Sequence, residues 1–181
     1  MFALEIIAVI VTLLIAVSIV WSTLKVGISP MPSSSKARQA IIQLLPEMGN
    51  KPIYDLGSGW GSLVIPLAKK HPNRTIVGYE VSFVPWLVSV VLKRFFRLSN
   101  VHLYRQNFLQ ADLSEAGVLI CYLHTCGMTA LAEKLKSERS CEGVLISNTF
   151  GLGDVQPEQS VQINDFYKSP IYRYRLNRDV K

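Results

Sequence analysis

Apolar positions along the chain fall into one long run and a series of short ones. From Ile6 to Trp21 only Thr12 and Ser18 interrupt the first. As a helix, Ile6 to Leu24 extends about 28 Å, close to the ~30 Å hydrocarbon thickness of a bilayer. This stretch predicts one N-terminal transmembrane helix. Lys36 to Met48 has helical spacing at Ala37, Ala40, Ile41, Leu44 and Leu45. Beyond it, predicted strands at 52–56, 75–80, 101–105, 118–123 and 143–149 alternate with predicted helices near 61–71, 84–98 and 127–139. Such alternation predicts an α/β fold, a parallel sheet covered by helices on both faces. The end departs from it. Val161–Tyr167 and Ile171–Leu176 are separated only by "KSP", too little chain for a parallel crossover, so they predict an antiparallel hairpin at the sheet edge. No internal repeat is present.

The pattern divides the 181 residues into an anchor (1–26), a linker (27–35, "GISPMPSSS") and a domain (36–181). Two prolines and a serine run stop the anchor, and Ser33 or Ser34 can cap the next helix. A cleavable signal peptide is the competing reading of the front, but Glu5 stands where a basic region would, and Ala16-Val17-Ser18 is a feeble cleavage site. Basic residues begin only after the apolar run, at Lys25, Lys36 and Arg38, which places the domain on the cytoplasmic side. An Arg-rich mitochondrial presequence is lacking, so a bacterial inner membrane is the simpler location.

Net charge changes the picture further. A formal charge of +6 beside a membrane implies attraction to anionic headgroups, making the lipid bilayer the expected partner. No RNA-stacking motif accompanies the charge, so nucleic acid is not expected. Cys121, Cys126 and Cys141 are odd in number and unpaired in spacing, and His71, His102 and His124 are scattered. Neither a disulfide framework nor a metal site follows, and core thiols are the expectation.

The candidate chemistry sits in "IYDLGSGWG", Ile53 to Gly61. A buried strand runs there into a turn with glycine at every second position, and Asp55 stands two residues before the first glycine. Ligands of open α/β sheets bind beyond the carboxyl ends of the strands. Glu80 ends the next strand, in "TIVGYE", so both carboxylates face one crevice. A nicotinamide dinucleotide calls for G-x-G-x-x-G, whereas Ser62 follows Gly57, Gly59 and Gly61 here, and Asp55 would repel a pyrophosphate. S-adenosylmethionine carries no phosphate, has a cationic sulfonium and ammonium, and offers ribose hydroxyls to Glu80. It fits the charges better.

Asp55-Leu56-Gly57-Ser58-Gly59-Trp60-Gly61 resembles the D/E-x-G-x-G-x-G motif of the Rossmann-like class I methyltransferases. "IYDLGSGWGSLVIPLAKK", "VGYEVSFVPWLVSVVLKR" and "SPMPSSSKARQAI" are similar to the membrane-associated protein-lysine methyltransferases that act on the adenine nucleotide translocase and the ATP synthase c subunit. The resemblance covers nearly everything after the anchor. It implies strand order 3-2-1-4-5-7-6 and N-methylation of lysine in a membrane protein. It also implies cofactor contacts from Asp55, Gly57, Ser58, Gly59 and Gly61 at the methionine end, from Glu80 at the ribose, and from Asn107 and Phe108 near the adenine. Asn107 departs from the family's frequent aspartate. Pro32 to Ser34 resembles a segment that covers the cofactor, and Trp86 the tryptophan of a Pro-Trp pair.

On the acceptor side many amine and amide methyltransferases carry Asn-Pro-Pro-Tyr, whereas this chain has "CYLHTCG". Tyr122 and His124 are the candidate catalytic groups, an ordinary loop histidine being the blander reading of the second. A lipid-soluble acceptor such as a quinone or phospholipid, and a non-catalytic membrane protein retaining the fold, are the rival readings. Intact Asp55, Glu80 and glycines weigh against the last.

Overall fold

The computed structural model describes residues 33–47, 49–137 and 142–176, together with residues 2, 4–7, 9–10, 12–13, 16–17 and 20. The described residues before Trp21 are helical and exposed. Among the described residues no helix is long and apolar enough to cross a membrane. The rest of the expected anchor, most of the 27–35 linker with Pro32, and Cys141 lie outside the described residues.

Helix α1 (Ser35–Gln43) starts where the Ser34 hydroxyl accepts from the Ala37 amide at 3.1 Å, one of the two expected caps. It stops well short of Met48 because Pro46 disfavours helical backbone at the residue before it. Seven strands follow: β1 (Ile53–Leu56), β2 (Ile76–Tyr79), β3 (Val101–Tyr104), β4 (Val118–Cys121), β5 (Gly143–Asn148), β6 (Gln159–Gln162) and β7 (Pro170–Leu176). Helices α2 (Val64–Lys70), α3 (Phe83–Phe95) and α4 (Thr125–Ser137) connect them. The sheet order is β3-β2-β1-β4-β5-β7-β6. β1 to β5 are parallel, and β7 runs antiparallel to both β5 and β6.

Strands β1, β2, β4 and β5 are buried throughout, which is why they read as unbroken apolar runs rather than alternating ones. One sheet face packs Ile53, Ile76, Val118, Ile120, Val144 and Ile146 under α1 and α2. The other packs Leu56, Leu119, Cys121 and Leu145 against Met128 and Leu131 of α4. No helix of the structure joins β3 to β4, only a 3-10 turn at Phe108–Gln110. Tyr54, Tyr79 and Tyr104 therefore line an open groove of about 250 Å³ on that second face.

Two further boundaries differ from the pattern. The helix expected from residue 61 begins at Val64, because the glycine turn itself runs through Gly61. The first hairpin strand is Gln159–Gln162 rather than Val161–Tyr167. Asp165 ends it: its carboxylate accepts from the Ser169 amide at 2.8 Å and hydroxyl at 2.7 Å, closing a turn where the apolar pattern suggested strand.

Candidate active site

Register fixes the level of the site. Leu56 pairs with Tyr79 on one side and Cys121 on the other, and Cys121 pairs with Ser147. The chain thus leaves β2, β1, β4 and β5 at one rim, and everything that follows those residues borders one crevice. Gly57 and Ser58 both donate their amides to the Tyr79 carbonyl at 2.9 Å, which folds the turn back over β2. Gly57, Gly59 and Gly61 have φ of +93°, +52° and +76°, conformations that side chains with a Cβ rarely adopt.

The three glycines do different work. A Cβ on Gly59 would meet nothing within 4 Å, so bare backbone faces open space there. A Cβ on Gly61 would come within 2.9 Å of the Ser89 Cβ, so Gly61 lets α3 pack against the turn. Ser58 is buried beneath the turn: a Cβ on Gly78 would lie 2.9 Å from its Cβ and Oγ, and that hydroxyl has no hydrogen-bond partner.

Both carboxylates are brought together as expected. Asp55 and Glu80 are 5% and 7% exposed, at the ends of neighbouring strands. Glu80 Oε2 accepts from the Gly59 amide at 2.9 Å and Oε1 from the Ser82 amide at 2.7 Å. Two backbone donors thus fix the carboxylate plane, and each oxygen keeps a second lone pair for a ligand hydroxyl. Asp55 is different. Burial, reinforced by the negative charge of Glu80, pushes its carboxyl up to about 7, so a cation placed beside it would favour its ionised form.

Asn107 caps the 3-10 turn, its Oδ1 accepting from the Leu109 amide at 3.0 Å. Phe108 packs against the core on the α4 side. Trp86 is tied to β3 through its indole, which donates to the Leu103 carbonyl at 3.3 Å. This holds α3 in place. Cys121 is buried, and burial pushes its thiol up to about 12, leaving it an inert core group; Cys126, expected in the core as well, is exposed instead, in the first turn of α4. Among the described residues no cluster of three or more histidines, cysteines or carboxylates is placed to hold a metal ion.

At the far side of the rim, Tyr122 stacks on Phe150 with centroids 6.5 Å apart, and the His124 ring lies 5.7 Å from Phe150. The sequence pattern pointed to Tyr122 and His124 and missed Phe150. Thr149, a β-branched residue at φ +69°, turns the chain directly after β5. The Ser147 hydroxyl donates to the Phe150 carbonyl, pinning the bend. The one available signal was that Phe150 follows the strand paired with β4. The result is an aromatic wall beside the glycine turn, with Leu123 reaching to 3.5 Å from where a Gly57 Cβ would be.

Strand order, glycine turn and paired strand-end carboxylates together define a class I S-adenosylmethionine-dependent methyltransferase. A family described as the ANTKMT methyltransferase domain matches residues 55–159. The chain belongs to that family. It is 23% identical over 136 residues to a protein-lysine N-methyltransferase of Saccharolobus islandicus (strain REY15A), covering 75% of this chain and 84% of the relative. Among solved structures, an RNA methyltransferase from Salinibacter ruber in complex with S-adenosyl-L-homocysteine superposes with a TM-score of 0.74 at 23% identity, over 83% of this chain and 97% of that one. Magnesium protoporphyrin IX methyltransferase from Synechocystis with bound S-adenosylmethionine gives 0.59 at 19% identity, over 75% and 76%. Likenesses at these identities speak for the fold.

Proposed function

We propose that the protein N-methylates lysine in a membrane protein, held at the membrane by its apolar N-terminal segment with the domain on the cytoplasmic side of a bacterial inner membrane. The observation that carries the lysine reading is the aromatic wall of Tyr122, His124 and Phe150 beside the carboxylate-lined crevice. π-faces attract the ammonium end of lysine and pack along its methylene stem. The relative from Saccharolobus islandicus, a protein-lysine N-methyltransferase, supports the same acceptor. The membrane reading is supported by the apolar run from Ile6 to Trp21.

Bound S-adenosylmethionine supplies a methyl group on a cationic sulfur. The chain's own groups fit such a ligand. The open backbone at Gly59 admits its methionine end, Asp55 provides negative charge for its ammonium, and Glu80 is prefixed to accept from ribose hydroxyls. Asn107 and Phe108 border the place for the base, with an amide where the family often has a carboxylate. An exposed lysine, pKa near ~10.4, is mostly protonated at neutral pH. Low solvation of the crevice at the membrane surface lowers that value, so the amine gives its proton to water and the rim aligns its nitrogen with the methyl group without a dedicated base.

The test is to incubate membranes with purified protein and labelled S-adenosylmethionine, then separate protein, lipid and RNA. Label in protein, recovered as methyl-lysine after hydrolysis, is the expected result. Label in lipid supports the quinone or phospholipid reading, and label in RNA overturns both.

A further inference from the structure

Helix α3 is amphipathic in the wrong sense for a core helix: of its thirteen residues only Pro85 and Ser89 are buried. Phe83, Leu87, Val91 and Phe95 recur every four residues and are 46%, 41%, 57% and 77% exposed. Four-residue spacing puts them along one side of the helix. Val81 before the helix and Phe96 after it are exposed as well. An apolar patch of this extent on a folded domain marks an interaction surface.

Its rim has one sign of charge. Lys93, Arg94 and Arg97 lie at the end of the helix, Lys69 Nζ sits 3.3 Å from the Phe96 ring centre, and the Arg105 guanidinium carbon is 5.6 Å from that of Phe83. No acidic residue occurs from Val81 to Arg105. We infer that α3 is a lipid-docking face that lies on an anionic bilayer, its stripe at the headgroup–acyl boundary and its cations among the headgroups. A second copy of the chain fits less well, since an isologous contact would set these cations against their own counterparts. Only two residues separate Glu80 from α3, and the Ser82 amide at the helix start holds its carboxylate. Docking therefore keeps the crevice at headgroup level. The inference requires neither the N-terminal anchor nor a lysine acceptor.

The experiment uses the full chain with Cys126→Ala and Cys141→Ala, leaving only buried Cys121. Val91→Cys carries an environment-sensitive nitrobenzoxadiazole label, and a twin carries it at Gln156→Cys, in the exposed segment ahead of β6. Each is mixed with phosphatidylcholine vesicles bearing brominated acyl chains, with or without about a third phosphatidylglycerol. The label at 91 is expected to shift to the blue and be quenched several-fold on the anionic vesicles, while the label at 156 is unchanged. Adding Lys93→Glu and Arg94→Glu should abolish the shift without altering the unfolding temperature. A label at 91 that stays solvent-like while the protein floats with anionic vesicles overturns the inference. So does a blue shift without vesicles that accompanies dimerisation, which would assign the face to protein contact.

Discussion

Glu80 and Asp55 share a crevice but are held in different ways, and the difference is measurable. Glu80 accepts from two amides, so its removal leaves ribose hydroxyls and backbone donors unmatched together. Glu80→Ala should weaken S-adenosylmethionine binding by about 1.5–3 kcal/mol, read by titration calorimetry; unchanged affinity in a folded variant would take Glu80 out of the site. Asp55 has its carboxyl raised from 3.8 to about 7. The native state therefore binds a proton there that the unfolded chain has released, and this contribution to stability is present at low pH and lost as pH rises through about 7. Cofactor affinity runs the opposite way, because the ionised form meets the ligand's positive charge. Between about pH 5 and about pH 8, the unfolding temperature of the free protein should fall while the cofactor-induced rise grows. Asp55→Asn should flatten both trends, and a pH-independent cofactor effect in the unsubstituted protein would contradict this role.

The glycines separate packing from ligand approach at the same scale. Gly61→Ala places a Cβ 2.9 Å from Ser89 Cβ at φ +76°, and should cost about 1–3 kcal/mol of stability. Gly59→Ala meets no atom within 4 Å, so only the left-handed backbone is penalised, by about 1–2 kcal/mol. Its larger effect should be on cofactor affinity. Thermal unfolding with and without cofactor checks the pair; equal cofactor-induced shifts in both variants would refute the assignment of open space above Gly59 to the ligand.

At the scale of elements, the acceptor wall depends on how the chain after β5 is tethered. Buried Tyr174 on β7 accepts, through its hydroxyl, from the Leu152 amide at 3.0 Å, and the Thr149 amide donates to the Pro170 carbonyl at 2.8 Å. Tyr174→Phe leaves a buried amide without its acceptor and should lower stability by about 1–3 kcal/mol. Methyl transfer should fall further than cofactor binding, since Phe150 lies on the loosened segment and Glu80 does not. A variant with unaltered stability would show that the tether is idle. The same elements mark where the pattern was readable. Buried parallel strands announce themselves by unbroken apolar runs, so β1, β2, β4 and β5 and the carboxylates ending two of them were legible. β6 is an exposed edge with polar Gln159 and Ser160, so no apolar signal fixed its start, and the Asp165 turn imitated strand. Phe150 was hidden because its place depends on the left-handed bend at Thr149 rather than on any spacing.

For the whole molecule, the fold sets the crevice at the carboxyl rim of the sheet, with α3 leaving that rim directly after Glu80. An apolar N-terminal segment and a basic, apolar α3 surface would both hold this rim beside a bilayer, raising the effective concentration of acceptors within reach. The measurement that bears most directly on the account is quantitative mass spectrometry of lysine methylation. It compares membrane and soluble proteins from cells carrying the unsubstituted protein, Asp55→Ala, or a chain lacking residues 1–26. The account predicts a lysine of an integral membrane protein, near the cytoplasmic surface, that is methylated with the unsubstituted protein, unmodified with Asp55→Ala and largely unmodified without residues 1–26. Identical lysine methylation in cells with the unsubstituted protein and with Asp55→Ala, or a loss confined to soluble proteins, would contradict it.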